Sequence, residues 1–160
     1  MTITVSLLFL LLIANGTPIL TKIVLQDRFA HPLDGGRLFL DKRPFFGNTK
    51  TVRGIVSSLS VTALVAPLIG IPAISGAIFA LCAMLGDLCS SFIKRRLGIA
   101  SSKMTLGLDQ IPESIFPLLA VKSHINLPWN DIFVIMAVFC IIELFSSPLL
   151  SRFSARKKSR

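Results

Sequence analysis

Charge is what this 160-residue chain has least of. Only 16% of its residues are charged, against roughly 25% in an average soluble domain. Hydrophobic residues make up 52%, and the mean hydropathy is +0.75. That balance excludes a water-soluble enzyme and a disordered chain. Acidic residues are the scarcest charges, 8 against 17 Lys and Arg. Cysteine is sparse too. Cys82, Cys89 and Cys140 are an odd number set in apolar stretches. They read as small buried hydrophobes, which excludes a disulfide scaffold or a zinc site. Internal repeats and low-complexity segments are absent. The length suits a single domain over 1–160, with room for about four to six membrane helices.

What is present is long uncharged runs. Residues 2–21 carry no charge, and their basic flank follows at Lys22. A cleaved signal peptide shows the reverse order, so this run is read as a first span. Residues 54–86 are also uncharged. A single helix of that length would measure about 50 Å, well beyond a hydrocarbon core of about 30 Å. Pro67, Gly70 and Pro72 break it into spans at about 54–70 and 73–93. A fourth, shorter span is expected over 111–127, opening on Ile111-Pro112. A fifth follows over 131–150, with Trp129 as an interfacial aromatic just before it.

The fold class is therefore an all-α integral membrane protein of five helices. Five spans place 16 of the 17 basic residues on one side, in loops 22–53 and 94–110 and in a tail over 151–160. Only Lys122 lies on the other. The positive-inside rule then sets the N-terminus outside and the C-terminus in the cytoplasm. The tail reads as an anchor to anionic lipid.

The chemistry-bearing residues border the basic side. Asp87, Ser91 and Lys94 share one helix face at about 100° per residue. A carboxylate two turns inside a basic cluster is either functional or neutralised by Lys94 or Arg95. Asp109 and Glu113 are four apart and face the same way on a helix, although Asp109 also suits an N-cap. Carboxylates within a field of cations are the equipment for a metal-bound polyphosphate. Mg²⁺ needs one or two carboxylates and completes its shell with water and phosphate oxygens, and Lys and Arg take the remaining phosphate charge.

The first basic loop is longer than a connector requires. Gly47-Asn48-Thr49-Lys50-Thr51 offers amides, hydroxyls and an ammonium to an anion, but it is not a P-loop. Asp34-Gly35-Gly36-Arg37 is not the D-G-x-x-A-R of a CDP-alcohol phosphotransferase. The bland alternative for this loop is topological charge with anionic-lipid contact. His31 and His124 fall on opposite sides and cannot share a metal. Glu143, inside the fifth span, either lines a polar cavity or bonds a neighbouring helix.

Four stretches taken together resemble the CDP-archaeol synthases. They are PLDGGR at 32–37, DKRPFFGNTKTVRG at 41–54, GDLCSSFIKRR at 86–96 and LDQIPE at 108–113. The third is also similar to the signature of the phosphatidate cytidylyltransferases. The chain departs from that larger family after Arg96, and Gln110 stands where an arginine follows the second aspartate.

The resemblance implies an enzyme that transfers CMP from CTP to an unsaturated archaeal ether-lipid phosphate, with Mg²⁺ as cofactor. It implies that Asp87 and Asp109 hold the metal, with Glu113 in support. Lys94, Arg95, Lys42, Arg43, Lys50 and Arg53 would hold the phosphates. The nucleotide would sit among Asp34, Gly35, Gly36, Arg37, Asn48, Thr49, Thr51, Ser91 and Gln110. Partners would be CTP, the lipid phosphate and membrane lipids, with no nucleic acid, at a multi-pass site on the cytoplasmic side of the cell membrane; the oligomeric state, a homo-oligomer included, is left open. A small transporter or channel subunit is the alternative. It gives no reason for the long glycine-containing loop. A nucleic-acid-docking anchor is disfavoured because the basic residues follow topology and no nucleic-acid motif is present.

Overall fold

The computed structural model describes residues 2–101, 103 and 105–158, with only the backbone described from 147 onward. Five helices follow in order: α1 (Ile3–Leu25), α2 (Val52–Val65), α3 (Ala73–Arg96), α4 (Gln110–Ile125) and α5 (Trp129–Lys158). A 3₁₀ turn, Ala66–Ile69, extends α2. It ends at Gly70, whose φ of 80° makes the reversal, a conformation glycine adopts without steric cost. Among the described residues there is no strand, only isolated bridges pairing Pro32 with Thr51 and Leu38 with Pro44.

Four helical stretches are long and apolar enough to cross a membrane: Ile3–Leu25, Val52–Ile69, Ala73–Arg96 and Trp129–Ser146. Helix α4 has 16 residues, about 24 Å, and falls short of the hydrocarbon thickness on its own. Helix α1 runs through Lys22, so the first loop begins at Gln26 rather than at 22. The basic tail, expected as a solvated anchor, continues α5 as helix to Lys158.

The packing follows from small residues and satisfied carbonyls. Gly76, Ala80, Ala83, Gly86 and Ser90 are buried along α3, the kind of small-residue face that lets backbones approach in a bilayer. At Gly86 the approach to α4 is closest. An added Cβ there would overlap the Pro112 carbonyl and lie 2.8 Å from the Glu113 amide nitrogen. In α1, Pro18 has no N–H to give the Ala14 carbonyl. Ser58 Oγ of α2 donates to that carbonyl instead, at 2.6 Å.

Leu7, Leu10, Leu11 and Ala14 of α1 meet Phe79, Ala80, Ala83 and Met84 of α3 in the core, together with Leu118, Ile132, Ile135 and Phe139. Outward, Leu64, Leu68, Ile74, Phe133 and Phe145 are exposed. So much apolar surface is untenable in water and expected against lipid. The N-terminal ends of α1 and α5 are tied by Thr4 Oγ1 donating to Asp131 at 3.2 Å. Successive helices alternate in direction, so loops 26–51 and 97–109 gather at the opposite end of the bundle.

Candidate active site

That loop-bearing end holds a cavity of about 450 Å³. All five helices reach it: Asn15 and Lys22 from α1, Arg53 from α2, Asp87 and Lys94 from α3, Gln110 and Glu113 from α4, Glu143 from α5. The first loop closes it with Asn48, Thr49, Lys50 and Thr51, and the second with Ser101 and Asp109.

The first loop is a folded unit. Asp34 receives the amides of Gly36, Phe46 and Gly47 at 3.0–3.1 Å. Partial burial works to raise its pKa, but these amide bonds outweigh burial and hold it below the usual carboxylate value. Phe39 and Phe45 pack edge-on, and both rings stand against Phe92 of α3. The Arg96 guanidinium lies over Phe39 and Phe92, 4.7 and 4.9 Å from their centroids. It also pairs with Asp41 and donates to the Pro44 carbonyl at 2.6 Å. Arg43 Nη1 donates to the Arg96 carbonyl at 2.6 Å, capping α3. Arg53 donates to the carbonyls of Gln26 and Arg28. Thr51 caps α2, its Oγ1 accepting from the Gly54 amide at 3.3 Å.

This architecture seats Lys50 on Asp87, its ammonium donating to both carboxylate oxygens. Burial alone would push the Lys50 pKa down. The facing Asp87, Glu113 and Asp109 carboxylates raise it instead. Asp87 in turn lies against Glu113, within side-chain hydrogen-bond reach. Lys94 bridges the two oxygens of Asp109 at 2.8 and 3.0 Å and donates to the Lys103 carbonyl at 3.0 Å. The Thr105 amide adds a bond to Asp109 at 2.9 Å. Gln110 accepts from the Gly107 amide at 2.8 Å, and its buried side-chain amide faces Glu143 of α5.

The structure brings together Asp87, Asp109, Glu113, Lys50, Lys94, Arg53, Gln110, Asn48, Thr49 and Thr51. It separates others from them. Asp34, Gly35 and Arg37 border a different hollow with Phe45 and Phe46, Gly36 is exposed beside them, and Lys42 is exposed in a turn. Arg43 is committed to the end of α3. Ser91 and Arg95 are buried but do not line the cavity, and Arg95 donates to Ser101 at 2.7 Å.

Two local expectations need correcting. Asp87 is paired with the loop's Lys50, while Lys94, two turns along its own helix, pairs with Asp109 instead. Asp109 stands at the start of α4 but makes no side-chain cap bond, since Lys94 and Thr105 claim its oxygens. Asn15, Lys22, Asp27 and Ser101 also line the cavity and were not singled out from the sequence. The signal for Asn15 was an amide side chain in an otherwise apolar span.

The donors suit a hard divalent cation bound with phosphate. They are all carboxylates, and Mg²⁺ asks for only one or two. Among the described residues no three His, Cys, Asp or Glu side chains form a ready-made metal cluster. Phosphate oxygens would therefore have to complete the shell.

Residues 1–153 match the family model described as CarS-like, CDP-archaeol synthase. A CDP-archaeol synthase of Hyperthermus butylicus is 36% identical over 106 residues, 62% of this chain and 60% of that protein. One from Saccharolobus islandicus is 35% identical over 104 residues, 61% of this chain and 63% of that protein. One from Pyrobaculum arsenaticum is 29% identical over 136 residues, 82% of this chain and 81% of that protein. The aligned region thus spans about three fifths of the length of the first two relatives. A solved intramembrane enzyme for archaeal membrane lipids biosynthesis shares the fold. Its TM-score is 0.72 at 24% identity, covering 86% of this chain and 90% of that one.

Proposed function

The chain belongs to the CarS-like CDP-archaeol synthase family, and from that premise we propose that it transfers CMP from CTP to an unsaturated archaeal ether-lipid phosphate, releasing pyrophosphate. The observation that carries this reading is the cavity in which Lys22, Lys50, Arg53 and Lys94 face Asp87, Asp109 and Glu113 at one end of a membrane bundle. A soluble nucleotide and a membrane lipid can meet only at such a boundary.

In the reaction, a lipid phosphate oxygen attacks the α-phosphorus of CTP. The bond from that phosphorus to the α,β-bridging oxygen breaks, and pyrophosphate leaves with the electron pair. The attacking oxygen is already anionic near neutral pH, so no strong general base is required. The chain's work is positioning and charge neutralisation. Lys22 and Lys50 are placed to meet phosphate charge, Arg53 borders them while holding the Gln26 and Arg28 carbonyls, and Lys94 fixes Asp109. Asp87, Asp109 and Glu113 would hold Mg²⁺, which neutralises triphosphate charge when bound. The site faces the cytoplasm in this reading, where CTP is.

Purified protein in lipid nanodiscs, given Mg²⁺, each of the four nucleotides and a geranylgeranyl ether-lipid phosphate, tests the proposal. Lipid-linked cytidylate and pyrophosphate should form with CTP alone. Equal use of ATP would refute the cytidylyl assignment. Product from the dephosphorylated lipid alcohol would refute the mechanism.

A further inference from the structure

The cavity is less basic than the chain. Its charged lining is Lys22, Lys50, Arg53 and Lys94 against Asp27, Asp87, Asp109, Glu113 and Glu143. That is four basic residues facing five acidic ones, in a chain of net charge +9. A bare triphosphate would meet carboxylates as well as cations there. A bare divalent cation would find Asp87 and Asp109 each already holding an ammonium on both oxygens.

The two lysines are held differently. Lys94 rises from α3, and its ammonium is also fixed by the Lys103 carbonyl. Lys50 is on the loop, and among the described residues Asp87 is its one hydrogen-bonded side-chain partner. The loop's own anchors are elsewhere: Asp34 on the Phe46 and Gly47 amides, Arg43 and Arg96 at the end of α3, and Lys50's backbone on Gly47 and Leu33. A flexible four-carbon stem can therefore swing the Lys50 ammonium away while the loop stays seated.

We propose that Lys50 is a resident counter-ion, seated on Asp87 until nucleotide binds and transferred to the triphosphate when a divalent cation takes its place. Metal and nucleotide then enter together, each removing the obstacle to the other. This rests on the reading that the site takes a nucleoside triphosphate, but its central test needs no turnover.

The test is Mn²⁺ binding to purified full-length protein without nucleotide, read by electron paramagnetic resonance. Lys50→Met should bind Mn²⁺ at least about tenfold more tightly than the unaltered chain, within the usual range of site coupling. Adding Asp87→Asn to Lys50→Met should abolish the gain. Lys50→Arg, which keeps the charge, should stay as weak as the unaltered chain. Folded Lys50→Met with unchanged Mn²⁺ affinity would overturn the proposal. Should Lys50→Met fail to fold, equilibrium dialysis on the unaltered chain decides. Labelled CTP should be retained with Mn²⁺ and lost in EDTA, and equal retention in EDTA overturns the proposal. If the chain proves not to be a cytidylyltransferase, the metal-alone result still stands. If the metal-alone result fails, turnover with CTP is unaffected as a separate finding.

Discussion

Asp87 and Asp109 look alike in sequence, each an aspartate beside a basic cluster, yet the structure holds them differently. Asp87 is paired with a loop lysine that can leave. Asp109 is locked by Lys94 and a backbone amide. Both Asp87→Asn and Asp109→Asn should lower turnover at least about a hundredfold, the scale of losing a charge aimed at the reacting phosphates. A Mg²⁺ titration on folded mutant protein is the check, and near-normal activity in either would remove that residue from the site. The pair Lys94–Asp109 makes a second prediction. Its side chains are 8% and 12% exposed, so Lys94→Met strands a carboxylate and should cost about 3 kcal/mol of stability. Adding Asp109→Asn should restore much of that loss. Denaturation of the single and double variants in detergent would show it, and additive losses would contradict it. Sequence spacing put Asp87 and Lys94 on one face, and both do line the cavity. What spacing could not show was that Lys50, 37 residues away, is the partner of Asp87, because that pairing is set by how the loop folds back on α3.

At the scale of helices, the breaks were legible because proline and glycine act locally. The Pro67, Gly70 and Pro72 cluster does end α2 and start α3. The loop was less legible. Lys42 and Arg43 were expected at the phosphates, yet Arg43, with Asp41, Phe39 and Phe45, fastens the loop to α3. A basic residue that caps a helix and one that binds an anion are the same letter. Only the carbonyls at the end of α3 distinguish them. The α3–α4 contact gives a prediction at this scale. Gly86 and Gly16 both lie inside helices, but a Cβ at Gly86 would collide with the Pro112–Glu113 backbone, whereas one at Gly16 meets nothing within 4 Å. Gly86→Ala should therefore destabilise by about 1–3 kcal/mol and lower activity as well, since Asp87 and Glu113 flank the contact. Gly16→Ala should be neutral or stabilising by up to about 1 kcal/mol. Thermal unfolding in detergent compares them, and equal behaviour would mean the helices are not this close.

For the whole molecule, the five-span reading that puts sixteen basic residues on one side requires every helix to cross, and four helical stretches, α4 not among them, are long and apolar enough to do so unaided. The helix directions bring the loops at 26–51 and 97–109 to the same end, which is where Lys50 meets Asp87 and Lys94 meets Asp109. A bilayer keeps such a cluster of charges at its surface, and the cytoplasmic face is the one the positive-inside rule leads one to expect. Helix α4, at 16 residues, is the short member on which this arrangement turns. If it did not reach across, the linker before α5 would lie on the wrong side. Single cysteines at positions 48 and 103, in a chain with Cys82, Cys89 and Cys140 replaced, should react with an impermeant maleimide only from the cytoplasmic face. Cysteines at exposed Asn126 and Asn130 should react only from the other. Labelling of 48 and 126 from one side would mean that α4 or one of the spans before it does not cross, and the catalytic cavity would then need a different route for its lipid.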